Sequence, residues 1–227
     1  MSKTPILAGA LAVAVAGGAL WMTRTTASLP PSLTTAAEAQ EATVSSEVAT
    51  VPDMILGKLD APVEVIEYAS FTCPHCANFH DAVFDQLKKN YIDTGKVKFV
   101  YREVYFDKFG LWAAMVARCA GPEKYFPVSD MIYDTQEAWI GDGQAATIAE
   151  NLRKIGLKAG MSKEALDACL NDNEKAKAMV AAYQANATKD DISGTPSFII
   201  NGEKFSGEMG YEEFAKISRS KAGELTP

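Results

Sequence analysis

Two cysteines separated by two residues are the strongest candidates for chemistry in this chain. Cys73 and Cys76 enclose Pro74 and His75 in the segment CPHC. Thiols at this spacing can bind a metal, form a local cross-link, or exchange electrons with the cysteines of another protein. The remaining cysteines, and the elements that position this segment, must distinguish among these uses.

Metal binding and local cross-linking are the weaker alternatives. A structural zinc site needs about four ligands, which usually come from two such pairs. The histidines are His75 and His80, and the other cysteines, Cys119 and Cys169, lie far along the chain. We therefore expect no metal and no other cofactor. A purely structural CPHC bridge would close too short a loop to restrict the unfolded chain much.

The segment follows an apolar run and begins a helix. Residues 61–71 are dense in β-branched apolar residues and predict a buried central strand. The helix that follows has an apolar stripe, and Gly95 is expected to close it. Residues 96–104 predict another strand. The order strand, helix, strand predicts a right-handed crossover between two parallel strands.

This placement predicts different roles for the two thiols. Cys73 would lie near the N-cap and Pro74 at the first helical position, where proline is favoured. Unpaired backbone N–H groups and the helix dipole would then favour the Cys73 thiolate, and a protonated His75 would add to this. Cys73 is expected to be exposed, with Cys76 shielded behind it as the resolving thiol. A stabilised thiolate makes the disulfide a stronger oxidant.

The rest of the chain predicts a helical block and then a hairpin. From about residue 108 to 191 the pattern is helical, which predicts an insertion of four or five helices, one of them ended by Gly156. Residues 196–207 predict two short strands around Asn201-Gly202, before a closing helix. The fold class is therefore α/β: βαβ, an all-helical insertion, then ββα.

The second pair of cysteines has a different setting. Cys119 and Cys169 lie on apolar faces of two predicted helices, which suits a structural disulfide better than a reactive site. Closing a loop of this length is worth on the order of 4 kcal/mol in the chain-entropy model. Two buried free thiols are the alternative, because cysteine also packs well as a small apolar residue.

Two features are expected to flank the CPHC segment in space. Thr195-Pro196 precedes an apolar strand, where a sheet tolerates proline. A cis bond at this position would bring the loop against the helix. Glu67 alternates with Val63 in the central strand and so falls on a covered face. It is either a buried acid that relays protons during exchange, or a glutamate at a solvated strand edge.

The N-terminal region predicts export. Lys3 precedes a long uncharged run, so residues 1–26 are typical of a signal peptide or a membrane anchor, with a buried core helix as the alternative. Residues 27–50 are rich in Ser, Thr, Ala, Pro and Glu and predict a flexible linker. The globular domain is expected over residues 51–227. A net charge of −7 argues against nucleic-acid binding.

The chain resembles the DsbA-type thiol:disulfide oxidoreductases, a branch of the thioredoxin superfamily. The stretches GKLDAPVEVIEYASFTCPHC and GTPSFIINGE carry the resemblance, which runs from about Asp53 to the closing helix. Thioredoxins carry glycine-proline where this chain has Pro74-His75, a dipeptide similar to that of the oxidising branch. The resemblance implies a thioredoxin-like fold with an inserted helical subdomain.

The resemblance also implies roles for individual residues. Cys73 would be the sulfur that substrate thiols attack, Cys76 the resolving cysteine, and Glu67 the buried acid. Pro196 would be the cis-proline, and the backbone of Thr195 would pair with a bound substrate chain. The chain departs from the family in lacking a clear lysine partner for Glu67. The second cysteine pair is a feature of some relatives only.

Three functions therefore compete. The first is a periplasmic dithiol oxidase, a monomer that acts on unfolded or newly exported cysteine-containing proteins and is reoxidised by a DsbB-type membrane partner. The second is a disulfide reductase or isomerase on the same fold. The third is a tethered binding or chaperone-like module with an inert CxxC. For the first, Phe71 and Met209 are expected near the catalytic surface, where they would suit unspecific peptide substrates.

Overall fold

The computed structural model of the chain describes residues 51–223. Over this range the elements follow the expected order of βαβ, helical insertion and ββα, which confirms the fold class. The predicted export segment (1–26) and linker (27–50) lie outside the described residues. None of the helices within residues 51–223 combines the length and the apolar character needed to cross a bilayer.

Five strands form one mixed sheet in the order β1-β3-β2-β4-β5. They are β1 (Met54–Leu56), β2 (Val63–Ala69), β3 (Val97–Glu103), β4 (Ser197–Ile200) and β5 (Glu203–Ser206). β2 lies at the centre, parallel to β3 and antiparallel to β4. The short edge strand β1 was not predicted, because three residues are too few to show an alternation.

One continuous helix follows the CPHC segment. It consists of α1 (Pro74–Phe79), a π-helical turn (His80–Phe84), α2 (Asp85–Leu87) and a second π-helical turn (Lys88–Ile92). We call residues 74–92 the CPHC helix. Its predicted apolar stripe faces the core and comprises Phe79, Val83, Phe84, Leu87 and Tyr91. Gly95 follows the helix with a positive φ of 78°, as expected of a glycine at a helix end.

The insertion contains six helices rather than four or five. They are α3 (Lys108–Cys119), α4 (Tyr125–Asp134), α5 (Gln136–Ile140), α6 (Ala145–Lys158), α7 (Lys163–Leu170) and α8 (Asn173–Lys189). The count was too low partly because α5 begins directly after α4. With five residues it is too short to show a helical period of its own.

Gly156 does not end α6, which was the expectation from sequence. The helix continues through Gly156 to Lys158, and Gly160 follows its end with a φ of 86°. A Cβ at position 156 would overlap Leu166 Cδ2 and lie 2.9 Å from Met161 Cε. The glycine is therefore a packing residue that allows α6 and α7 to approach closely.

The insertion is attached to the sheet by a buried ion pair. Arg118 of α3 binds Glu103 of β3 through two hydrogen bonds of 2.6 Å, and Tyr125 donates to the same carboxylate at 2.8 Å. Within the insertion, a disulfide joins Cys119 at the end of α3 to Cys169 in α7, with Cα atoms 6.2 Å apart. The helices are thus held both to the sheet and to one another.

The C-terminal elements complete the sheet. β4 and β5 form the expected antiparallel hairpin, and Asn201 and Gly202 at its turn have φ values of 46° and 84°. Such values suit asparagine and glycine, which enter the left-handed region at low cost. The closing helix α9 (Tyr211–Lys221) follows.

Candidate functional site

Cys73 lies where strand β2 gives way to the CPHC helix. It is the N-cap residue, with an extended backbone (φ −85°, ψ 118°), and Pro74 occupies the first turn. The Cys73 carbonyl accepts a hydrogen bond from the Ala77 N–H at 3.2 Å, and its own N–H donates to Ser70 at 3.0 Å. The nucleophile predicted from sequence therefore lies at the helix N-terminus, at the end of the central strand.

The environment of Cys73 favours its thiolate. The pKa of Cys73 is lowered from 9.0 to about 5, first by a hydrogen bond from the Cys76 thiol, then by Thr195 and by the backbone N–H groups of Cys76 and His75. Burial opposes this effect. Cys73 is 9% exposed and so more covered than expected, although it is still more accessible than Cys76 at 0%.

Cys76 has the opposite preference. Burial is the largest cause that raises its pKa well above the usual range, followed by its hydrogen bond to Cys73 and the negative charge of Glu67. Both cysteines are free thiols in the structure. The segment therefore holds a reactive thiolate beside a thiol that retains its proton, which is the division of roles expected for a nucleophile and a resolving cysteine.

The Thr195-Pro196 loop lies against Cys73. The Thr195-Pro196 peptide bond is cis, and the Cys73 thiol lies 3.5 Å from the Thr195 carbonyl oxygen as a hydrogen-bond donor. The Thr195 hydroxyl is buried, has no hydrogen-bond partner among the described residues, and is one of the groups that lower the Cys73 pKa. It is thus placed to stabilise the sulfur, and β4 begins directly after this loop.

The His75 side chain turns away from the sulfur. Its Nδ1 lies 2.6 Å from Glu208 Oε1, and Asn78 donates to the same oxygen at 3.4 Å. The Glu208 pKa is lowered, chiefly by this contact with His75. His75 therefore supports the Cys73 thiolate through its backbone N–H, while Glu208 offsets any charge on its ring.

Glu67 is buried beneath the CPHC segment. It is 0% exposed in the central strand, so the solvated strand edge considered from sequence is wrong. Its partner is His80 of the CPHC helix, whose Nε2 lies 3.1 Å from Glu67 Oε2. The neighbouring Arg102 binds Asp53 instead, through hydrogen bonds of 3.0 and 2.9 Å.

Sequence reasoning missed the role of His80. The signal was present, because His80 lies four residues after Cys76 and next to the apolar stripe of the same helix. Tyr133 of α4 stacks on the His80 ring with centroids 4.3 Å apart, and its hydroxyl hydrogen-bonds that of Tyr101 at 2.5 Å. The acid, the histidine and two tyrosines form one buried polar cluster.

Gln136 is a second contribution that the sequence did not reveal. It lies at the start of α5, buried, and its side-chain amide donates to the carbonyls of Phe71 and Cys73 at 2.8 and 3.0 Å. The helical insertion thus holds the loop that carries the nucleophile. No local pattern could have shown this contact, because the partners are more than sixty residues apart.

The surface around Cys73 differs from the expectation. Phe71 and Met209, which were predicted near the catalytic surface, are 1% and 4% exposed and belong to the core. The exposed apolar side chain on the loop after β3 is Phe106, at 57%. Its neighbour Asp107 accepts a hydrogen bond of 2.7 Å from Thr72, next to Cys73.

Comparison with known proteins places this fold and site in a family. The chain matches the sequence model of the family described as Thioredoxin over residues 49–217. It therefore belongs to the thioredoxin family.

Individual relatives narrow the assignment. A Rickettsia typhi protein, named for an assumed protein-disulfide oxidoreductase activity, is 38% identical to this chain over 151 residues. The matched residues cover 66% of this chain and 55% of that relative. The chain thus spans little more than half of that protein. Disulfide bond formation protein D of Bacillus subtilis is 28% identical over 178 residues, which cover 75% of this chain and 77% of the relative.

A solved structure has a similar fold. The crystal structure of Wolbachia pipientis alpha-DsbA1 superposes with a TM-score of 0.71 at 29% identity, covering 78% of this chain and 96% of that one. Within the thioredoxin family, the chain thus resembles the DsbA-type thiol:disulfide oxidoreductases.

Proposed function

We propose that this protein is a dithiol oxidase that introduces disulfides into exported proteins through Cys73 and Cys76. The observation that carries the proposal is the different setting of the two thiols: Cys73 lies at a helix N-terminus against the cis Thr195-Pro196 loop, and Cys76 is fully buried behind it. Cys73 is held as a thiolate near pH 5 and above, whereas Cys76 keeps its proton. An inert CxxC in a binding module has no need of this difference.

The proposed reaction transfers two electrons from substrate to enzyme. A substrate thiolate attacks Cys73 Sγ of the oxidised pair, and the bond to Cys76 breaks. Cys76 leaves as a thiolate and takes up a proton. A second substrate thiolate then attacks the substrate sulfur of the mixed disulfide, and Cys73 leaves as its stabilised thiolate. The substrate gains one disulfide, and the enzyme is left as a dithiol.

The stabilised Cys73 thiolate supports oxidation rather than reduction. Stabilising the reduced enzyme shifts the equilibrium towards transfer of the disulfide to substrate. The Thr195 hydroxyl, the Cys76 thiol and the backbone N–H groups all contribute to that stabilisation. A reductase would need a less stable thiolate, since its own disulfide must not be handed on so readily.

The proposal extends to substrates, partner and location. An extended, cysteine-containing chain would pair with the backbone of Thr195 beside Pro196, where its sulfur would face Cys73. A DsbB-type membrane protein would reoxidise the dithiol, and the protein would act in the periplasm as a monomer, exported by residues 1–26. The name of the Bacillus subtilis relative supports disulfide formation.

We further propose that the disulfide between Cys119 and Cys169 has a purely structural role. It links α3 to α7 within the insertion, and the two cysteines are 50 residues apart in the sequence. On this proposal it takes no part in exchange, because both sulfurs lie outside the CPHC site.

The redox equilibrium with glutathione tests the proposed function. We expect the full chain to be more oxidising than thioredoxin, whose potential is about −270 mV, and closer to DsbA at about −120 mV. A Cys73→Ser variant should lose exchange, and Cys76→Ala should accumulate the mixed disulfide. The Cys119→Ala/Cys169→Ala variant is the matched control and should retain both the potential and the activity.

Two results would count against this proposal, in different ways. A potential as reducing as that of thioredoxin would contradict the oxidase assignment but leave exchange intact. Unchanged activity of Cys73→Ser would contradict exchange at this site altogether. Rescue of a bacterial strain that lacks its own oxidase separates oxidase from reductase, because a reductase would fail to restore disulfide formation.

A further inference from the structure

The buried pair Glu67 and His80 has the features of a proton-transfer element. The two side chains are 0% and 5% exposed and are joined by the 3.1 Å contact between Oε2 and Nε2. An unpaired buried carboxylate would cost several kcal/mol. When the pair shares its protons so that the total charge is zero, this cost is largely avoided.

Each member of the pair has one polar atom left over. Glu67 Oε1 and His80 Nδ1 are both buried, and neither has a hydrogen-bond partner among the described residues. A continuous chain of bonds therefore runs from Glu67 Oε1 through the Oε2–Nε2 contact to His80 Nδ1, and these two atoms are its ends. A chain that can accept a proton at one end and release one at the other is a proton relay.

Glu67, at one end of this chain, lies near Cys76. The negative charge of Glu67 is one of the causes that raise the Cys76 pKa, so the carboxylate is close enough to act on the thiol. Cys76 must gain or lose a proton in each half of an exchange cycle. Because Cys76 is 0% exposed, water has no direct access to it.

Helix α4 packs against His80 at the other end of this chain, because Tyr133 stacks on the ring and Asp130 lies one turn before Tyr133 on the same helix. Asp130 on that helix is half-buried, and its burial raises its pKa to about 6, while the charge of His80 acts in the opposite direction. Asp85, Asp134 and Lys88 also act on this carboxylate. Asp130 is thus a partly exposed titratable group close to His80.

The other groups packed around His80 do not compete for its proton. Tyr101 of β3 and Tyr133 of α4 hydrogen-bond each other through their hydroxyls. Burial raises the pKa of both well above the usual range, so they stay protonated throughout the neutral range. The remaining ring contacts of His80, with Phe79 and Phe84, are apolar.

We propose that His80 and Asp130 extend Glu67 into a proton path that connects the Cys76 thiol with solvent on the α4 side. The proposal rests on the proposed exchange function and adds a route for the proton of the resolving cysteine. His80 and Asp130 act through Glu67 and do not touch the reacting sulfurs, so they are positioning and proton-transfer residues.

Reoxidation uses the path outward. Cys73 is first joined to an oxidant in a mixed disulfide, and the Cys76 thiol gives its proton to Glu67 Oε1. The Cys76 thiolate attacks Cys73 Sγ, the bond to the oxidant sulfur breaks, and the oxidant leaves as a thiolate. At the same time the protonated His80 releases its Nδ1 proton, by way of water, to Asp130. The pair begins as carboxylate with imidazolium and ends as carboxylic acid with imidazole, neutral in both states.

Substrate oxidation uses the same path inward. When a substrate thiolate attacks Cys73, Cys76 leaves as a thiolate in the protein interior. The neutral Glu67 carboxylic acid gives it a proton, and His80 takes up a proton at Nδ1 from Asp130 by way of water. The pair returns to carboxylate with imidazolium. One proton enters and one leaves in each half-reaction, so no net charge accumulates in the core.

Single-turnover kinetics of the full chain test this path. The reduced protein is mixed with excess glutathione disulfide, quenched with acid and analysed by mass, which separates the mixed disulfide from the internal one. We expect His80→Gln, whose amide can still bond Glu67 but cannot titrate, to slow resolution of the mixed disulfide by at least ~10-fold at pH 6–7. The defect should shrink at higher pH, where hydroxide can take the proton.

Two aspartates on α4 provide matched variants. Asp130→Asn should slow the same step by roughly 3-fold or more and shift its pH dependence, as expected for loss of a general base. Asp134→Asn, which removes an exposed carboxylate one turn away and only a secondary effect on the Asp130 pKa, should slow resolution far less than Asp130→Asn does. The first step, attack by Cys73, should change little in any of these variants.

Several outcomes would overturn the path. If His80→Gln resolves the mixed disulfide at the unaltered rate across pH 5.5–8.5, His80 is not part of the path. If Asp130→Asn and Asp134→Asn resolve it at equal rates, Asp130 is not part of the path. The Glu67→Gln/His80→Gln double variant should be no slower than the slower single variant, and additive losses would contradict a shared path. If His80→Gln fails to fold, Asp130→Asn still decides. Failure of the unaltered protein to form any mixed disulfide would refute the proposed function instead.

Discussion

At the residue scale, the two cysteines within one turn of helix have opposite preferences for the thiolate and the thiol. Cys73 at the N-cap receives hydrogen bonds from the Cys76 thiol, the Thr195 hydroxyl and backbone N–H groups. Cys76, one turn further in, lies in the core beside a carboxylate. The difference between the two thiols arises chiefly from the burial of Cys76 and from its hydrogen bond to Cys73, and the backbone N–H groups of the first turn add to it.

The thiolate predicts a distinctive alkylation profile. The rate of iodoacetamide reaction at Cys73 should rise through a midpoint near pH 5 and level off by neutral pH, because only the thiolate reacts. Thr195→Val removes one donor to the thiolate and should move the midpoint upward by roughly one pH unit, since a hydrogen bond to a charged group is worth about 1.5–3 kcal/mol.

The control for this profile is Thr94→Val, which removes an exposed hydroxyl that bonds only the backbone of the CPHC helix, at Asn90 and Tyr91. Its midpoint should equal that of the unaltered protein. A midpoint near pH 9 in the unaltered protein would mean that Cys73 is an ordinary thiol. An unchanged midpoint in Thr195→Val would remove Thr195 from the set of donors.

At the element scale, the helical insertion is part of the site rather than an appendage. Gln136 of α5 holds the carbonyls of Phe71 and Cys73, and Tyr133 of α4 covers the His80 ring. The position of these side chains depends on how the six helices pack. The fit of α6 against α7 therefore matters to the redox site as well as to stability.

Gly156 provides a direct test of that packing. In Gly156→Ala the new methyl group would overlap the buried Leu166 and crowd Met161. We expect a loss of about 1–3 kcal/mol in the free energy of unfolding, measured by urea titration, even though alanine is the better helix former. Lys154→Ala, an exposed change on the same helix, should stay within about 0.5 kcal/mol. Increased stability of Gly156→Ala would show that the two helices can separate at no cost.

At the scale of the whole molecule, the thiol pKa values link redox state to stability. The folded pKa of Cys73 is about 5 against a reference of 9.0, so the reduced fold is stabilised by the thiolate. This contribution is fully present above pH 9 and is lost as pH falls through about 5. The oxidised form has no thiolate at either position and lacks the effect. The raised pKa of Cys76 destabilises the reduced fold, but only at high pH, above the pKa that this thiol has in the unfolded chain.

The expected result is a pH-dependent difference between the two redox forms. Between about pH 5 and pH 9, the stability of the reduced form should rise relative to the oxidised form by up to ~1.4 kcal/mol per pH unit. Urea unfolding of both forms at pH 5, 6.5 and 8 measures this difference, because other titrating groups cancel. Reduced Cys73→Ser should lack the slope, and a parallel pH dependence of both native forms would contradict a stabilised thiolate.

The local pattern of the sequence was enough to predict most of the elements and the principal chemistry. The dense apolar run before CPHC indicated the central strand, the stripe after it indicated the helix, and Asn201-Gly202 indicated the hairpin. Cys73 could be placed at the helix N-terminus because proline at the next position is a local signal. The edge strand β1 and the short helix α5 escaped prediction because they have too few residues to show a period.

Contacts between distant segments were decided only by the tertiary structure. The partner of Glu67 proved to be His80 on the CPHC helix, and the ring of His75 turned to Glu208 rather than to Cys73. Gly156, a helix end by its residue type, became a contact point because Leu166 packs against it. Local sequence determines where a helix begins and which thiol lies at its tip, since capping and periodicity act within a few residues. Which side chains surround a buried acid depends on how distant helices pack on the sheet, and no local pattern specifies that.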